Sequence, residues 1–85
     1  MNKYYKLRKD LKIEVMGRTL FRIEATKNIL KHGIVKGEIG GYIESHKNLS
    51  ENAWVYDDAC VFGNALLSNN ACASGGAWVY DNALV

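Results

Sequence analysis

Eighty-five residues with a formal net charge of +2 and 48% apolar content make one domain, whose core is marginal unless stacking or association enlarges it. No proline interrupts the chain, so no stiff linker divides it, and no apolar run is long enough for a helical membrane span. There is no signal-peptide pattern and no lipidation motif, and a cytoplasmic location is expected. The charge is uneven. Residues 1–47 hold all eleven Lys and Arg against five acids, net +6, whereas residues 48–85 hold four acids and no base, net −4. A basic half of this kind meets nucleic acid or an acidic protein, or is a solvated face.

The first ten residues, MNKYYKLRKD, interleave Lys3, Lys6, Arg8 and Lys9 with two tyrosines. Bases with aromatics can hold a single nucleic-acid strand by phosphate neutralisation and base stacking. They also read as an edge strand guarded by lysines against further pairing. The second reading is preferred, and nucleic acid is carried as a partner that is not favoured. Leu11, Ile13 and Val15 then alternate with Lys12 and Glu14, and Phe21, Ile23 and Ala25 alternate with Arg22 and Glu24. The gap Met16-Gly17-Arg18-Thr19 between them predicts a β-hairpin. Its apolar face should be Leu11, Ile13, Val15, Phe21 and Ile23. The stretch TKNILKHG fits either a helical turn ended by Gly33 or a loop. Ile34 and Val35 resume extended structure, and Lys36-Gly37 turns.

From Gly41 onward a six-residue register runs. Gly41 and Ile43 take its two inner positions, then Lys47 and Leu49, with the Lys47 ammonium expected to reach solvent. The pattern is strictest in NAWVYD, DACVFG, NALLSN, NACASG, GAWVYD and NALV. Alanine recurs at 53, 59, 65, 71, 77 and 83, followed two residues later by Val55, Val61, Leu67, Ala73, Val79 and Val85. Alanine–x–valine is a three-residue strand with its first and third side chains on one face, and that face must be inside. The pairs between strands, such as Asp57-Asp58 and Gly63-Asn64, supply residues that tolerate positive φ and hydrogen-bond local backbone. A fixed short period marks a stacked-coil fold, and closure is expected after three hexads, roughly 18 residues. The chain thus divides into strands and a hairpin cap over 1–39 and hexad repeats over 40–85, a coil of about two and a half turns.

These hexads resemble those of left-handed parallel β-helix proteins. More closely, KGEIGGYIES, then KNLS, then NAWVYD is similar to small prophage-encoded hexapeptide-repeat proteins, over roughly residues 20–85. The resemblance implies an all-β fold with a left-handed coil, a bacterial host cytoplasm and a phage context. It implies no activity.

Hexads eighteen residues apart should stack. One outer side then carries Trp54 and Tyr56 with Cys72 and Ser74. A second carries Tyr42 and Glu44, then Cys60 and Phe62, then Trp78 and Tyr80. The third carries Leu66 and Ser68 with Leu84. The second side is an aromatic ladder, so Tyr42, Phe62, Trp78 and Tyr80 are candidate partner-binding residues unless the hairpin covers them. Ala77, Val79, Ala83 and Val85 should be left at an open last coil. A two-fold homodimer centred on Trp78, Tyr80, Leu84 and Val85 would cover it. Cys60 and Cys72 should point from different sides, which rules out a relaxed disulfide. Two Cys and two His without paired spacing make no zinc site, and no metal or cofactor is expected.

Three functions are weighed. The leading one is a non-enzymatic module binding a host or phage protein, most concretely an inhibitor of a bacterial defence effector of the CRISPR type; that form rests on the phage context alone. A structural or assembly part of a phage particle is the second. A hexapeptide acyltransferase-like protein is the third. It would need a catalytic histidine in an intersubunit groove, and His32 and His46 both read as turn residues.

Overall fold

A computed structural model of the chain describes residues 4–50, 52–69 and 71–84. It is all-β, with strands β1 (Tyr5–Val15), β2 (Arg18–Ala25), β3 (Ile39–Ile43), β4 (Trp54–Val55), β5 (Cys60–Val61), β6 (Cys72–Ala73) and β7 (Trp78–Val79) and two single 3-10 turns. A mixed five-stranded sheet runs β1-β2-β3-β5-β7, and β4 pairs with β6 in a second sheet.

The hairpin is tighter than its sequence suggests. Val15 pairs directly with Arg18, so Arg18 and Thr19 belong to β2 and only Met16 and Gly17 turn. Their φ values of 53° and 77° are both positive, the geometry that matches the twist of the flanking strands. The expected single apolar face is not formed. A register shift between Arg8 and Lys12 is a β-bulge, and a bulge exchanges the faces that odd and even residues address. Before it, Tyr5 and Leu7 pair with Ala25 and Ile23; beyond it, Ile13 pairs with Leu20. Tyr5, Ile23 and Ala25 therefore join the main core, while Leu20, Ile13 and Val15 pack with Cys60 and Phe62 in a second cluster. Leu11, at the bulge, is exposed.

β3 joins the two halves. It is antiparallel to β2 and parallel to β5. Gly40 and Gly41 make this junction possible. A Cβ on Gly41 would sit 2.5 Å from Val55 Cγ1 and 2.6 Å from the Ala59 carbonyl, and one on Gly40 2.8 Å from Trp54 Cζ2. From here every parallel pairing links residues eighteen apart: Tyr42 to Cys60 to Trp78, and Trp54 to Cys72. Bridges join Leu49 to Leu67 and Leu66 to Leu84 at the same interval. The corner residues Asp57, Gly63, Asn69, Gly75 and Asp81 all have φ between 55° and 70°, which Asp, Asn and Gly tolerate best.

Ala53, Val55, Ala59, Val61, Ala65 and Leu67 are all buried. Burial then falls away: Ala71 and Val79 are half-buried, and Ala77, Ala83 and Leu84 are exposed. One expected inner residue is displaced. Lys47 lies exposed in the 3-10 turn His46–Asn48, which interrupts the strand alternation. Its neighbour Asn48 is fully buried instead. The Asn48 carboxamide accepts from the Glu44 and Ser45 amides and donates to the Gly63 and Ala65 carbonyls. It joins one corner to the next turn of the chain.

The segment 26–38 holds the other 3-10 turn, Leu30–His32, closed by Gly33 at φ 68°. Its Ile29 and Ile34 bridge one another and pack into the main core with Tyr4 and Trp54. Tyr4 donates to the Ala53 carbonyl, and Tyr56 to the His32 carbonyl at 3.0 Å. Trp54, expected on an outer side, is consequently fully buried.

Candidate interaction surface

The aromatic ladder is closed at the top and open at the bottom. Tyr42 lies under Arg22, whose guanidinium is 4.4 Å from the ring centroid. Arg22 also donates to the carbonyls of Gly40 (2.8 Å) and Asp57 (3.1 Å) and to the Asp58 carboxylate at 2.7 Å. Burial opposes the Arg22 charge, but the bond to Asp58 and the neighbouring Tyr42 outweigh it and its pKa is raised. In the sequence Arg22 reads only as the polar side of its alternating run, and nothing in its spacing signals this role.

Phe62 does not reach solvent as the ladder reading expects. It is 2% exposed, covered by the hairpin through Leu20, Ile13 and Val15. Next to it, Trp78 and Tyr80 are 50% and 40% exposed. Phe62 stacks on Tyr80, with centroids 5.4 Å apart and planes 8° from parallel, and meets Trp78 edge-on at 5.9 Å. Trp78 and Tyr80 are themselves edge-to-face at 6.4 Å. Two accessible rings are thus held by a third that is fixed in the core. Leu84, 76% exposed, lies on the adjacent side, and Val85 lies outside the described residues.

In this register the amides of Cys60, Phe62, Asn64 and Leu66 donate to the carbonyls of Ala77, Val79, Asp81 and Ala83. The equivalent amides one level on, at Trp78, Tyr80, Asn82 and Leu84, have no such acceptor among the described residues. Among the described residues the surface therefore combines aromatic area with strand amides that have no ladder acceptor, and residues 48–85 carry no Lys or Arg.

The opposite edge, β1, differs. Arg8 is held by Asp10 and Glu24 at 2.7–2.9 Å. Its pKa is raised by those hydrogen bonds, and the Arg8 bond holds the Asp10 carboxyl below its usual value. Lys6 lies 4.0 Å from Glu24. Of the expected basic surface, only Lys9 is left without an ion partner among the described residues, and Lys3 lies outside them.

Cys60 is buried and Cys72 exposed, both free and on different sheets. Burial pushes the Cys60 thiol up, away from reactive character. His32 Nε2 lies 2.7 Å from the Asn52 carbonyl and His46 Nδ1 3.2 Å from the Tyr5 hydroxyl, so both rings are engaged in local structure. No cluster of His, Cys, Asp and Glu among the described residues is placed to hold a metal. No helix among them is long and apolar enough to cross a membrane. Comparison of the chain with family models, curated proteins and solved structures finds no match.

Proposed function

We propose that this protein is a non-enzymatic protein-binding module, a short parallel β-helix under a hairpin cap, with Trp78 and Tyr80 as its contact residues. Parallel pairing at one interval on three sides supports the coil, and its left hand and phage setting come from the sequence resemblance. The observation that carries the function is the pair of exposed rings backed by buried Phe62. Aromatic side chains that are already ordered lose little entropy on binding, and such residues dominate interface energies. The basic strand argues less for nucleic acid, because Arg8 and Lys6 are matched by Asp10 and Glu24.

The most concrete partner is a bacterial defence effector of the CRISPR type, inhibited by occupation of its surface. A second copy, paired about a two-fold axis through Trp78, Tyr80 and Leu84, uses the same area. The test is capture of purified effectors by the wild type and by a Trp78→Glu/Tyr80→Glu variant, with light scattering of both. Specific capture or dimerisation lost in the variant is expected. A wild type that stays monomeric at tens of micromolar, roughly the range of weak dimers, and captures no more than the variant overturns the proposal.

A further inference from the structure

A second feature lies beside the aromatic pair, where the tip of the hairpin overhangs the corners that follow β5 and β7. The cleft between them has a volume of about 490 Å³, within the size range of small-molecule sites. Three separate parts of the chain converge on it: Met16 and Arg18 from the hairpin, Asn64 from one corner, and Tyr80, Asp81 and Asn82 from the next.

The polar groups are held, yet not used up. Arg18 meets both Glu44 oxygens through Nη1 alone, at 3.0 and 2.9 Å, so Nε and Nη2 have no partner among the described residues. Glu44 is anchored in turn by the Gly63 amide at 2.8 Å. Asn64 Nδ2 donates to Asn82 Oδ1 at 3.2 Å, which aligns the two carboxamides and leaves Asn64 Oδ1 and Asn82 Nδ2 without a partner among the described residues. The Asp81 carboxylate has no ion partner among the described residues. The cleft therefore offers both donors and acceptors; Arg18 is matched by Glu44, so Asp81 gives it a net negative character that disfavours anions. Tyr80, stiffened by Phe62, and the Met16 thioether supply apolar contact.

We propose that this cleft binds a neutral mono- or disaccharide. Sugar hydroxyls both donate and accept, which suits carboxamides and a free guanidinium edge beside a carboxylate. The C–H face of a pyranose packs against an aromatic ring. A phosphorylated or otherwise anionic ligand would meet Asp81, and a wholly apolar one would leave the amides and the guanidinium unpaired.

The test is a two-dimensional NMR titration of the isotope-labelled protein, following the Asn64 and Asn82 side-chain amides. The probes are the methyl glycosides of glucose, galactose, mannose and N-acetylglucosamine, then lactose and maltose, with inorganic phosphate and AMP as anionic comparators. At least one sugar should give saturable shifts at these amides. Asn82→Ala and Arg18→Met should each weaken its binding at least about tenfold, the loss of one good hydrogen-bonded contact. Both variants should keep the wild-type spectrum elsewhere, and the single Trp78→Glu exchange, which spares the cleft residue Tyr80, should leave the sugar shifts in place. No saturation by any sugar up to about 50 mM, near the weak limit of specific binding, overturns the proposal. So do shifts that persist unchanged in Asn82→Ala, or that appear only with phosphate or AMP.

Discussion

The pentapeptide Ala-Trp-Val-Tyr-Asp occurs twice, at 53–57 and at 77–81, and its two copies have opposite fates. Their backbones agree: both tryptophans open a two-residue parallel strand, and both aspartates turn the corner, at φ 55° and 59°. In the first copy Trp54 and Val55 are fully buried; in the second Trp78 is half exposed and Val79 only half-buried. The difference comes from what lies over each copy. Tyr4, Ile29 and Ile34 pack with the first, whereas in the second Trp78 rests edge-on against Phe62 and Val79 reaches the main core only in part. Local sequence decides direction and turn, and distant segments decide whether the same side chain is core or surface.

The sharpest way to break this comparison is to truncate both tryptophans. Trp54→Ala should cost about 3–5 kcal/mol, the range for a large buried aromatic, and Trp78→Ala about 1 kcal/mol or less. Urea denaturation of the two variants measures it; equal losses would mean that the cover over Trp54 does not form. Asn48→Ala comes next, at about 2–4 kcal/mol, because it takes the side-chain partner from the Gly63 and Ala65 carbonyls and from the Ser45 amide, while the Glu44 amide keeps the Val61 carbonyl. Asn48→Asp should not rescue it, since a carboxylate cannot donate to Gly63 and Ala65.

A third test reads the cover through pH. Burial pushes the Tyr5 phenol from 10.0 up to about 12. Below pH 10 both folded and unfolded chains keep this proton, and the stabilisation is complete. Between pH 10 and 12 the unfolded chain loses the proton that the folded chain retains, so stability falls as pH rises. The loss should reach about 2–3 kcal/mol, the equivalent of a two-unit shift. Tyr5→Phe should flatten that part of the alkaline stability curve. The smallest contrast lies between glycines. Gly41→Ala should cost about 1–3 kcal/mol by overpacking against Val55 and Ala59. Gly76→Ala, where an added Cβ meets nothing within 4 Å, should be neutral or stabilise by up to about 1 kcal/mol. Thermal melts of both separate the tight end from the open one.

What was legible in the sequence is what local chemistry controls. Alanine and valine spacing places Ala53, Val55, Ala59 and Val61 inside, and Asp57, Gly63, Asn69, Gly75 and Asp81 announce the corners. The same register puts Trp78 and Tyr80 together on one outer side. What stayed hidden depends on contacts between remote segments. The bulge before Lys12 reverses the hairpin's faces and carries Ile13 and Leu20 onto Phe62. Asn48 looks like a turn residue until the Gly63 and Ala65 carbonyls arrive above it. Arg22 reads as a polar strand position and Arg18 as part of the hairpin gap, because Tyr42, Asp58 and Glu44 reach them only through tertiary pairing.

The constant eighteen-residue interval between parallel strands also has a kinetic side. A parallel strand can pair only with one already in place, and each parallel pairing closes a chain segment of the same length, at about the same entropic cost. The hairpin is different. Its two-residue turn closes locally, on a time scale of about 1–10 μs. It therefore offers the first ordered edge, onto which β3 adds, then β5, then β7. Growth from that edge would run from the amino end, which is also the order in which a ribosome releases the strands.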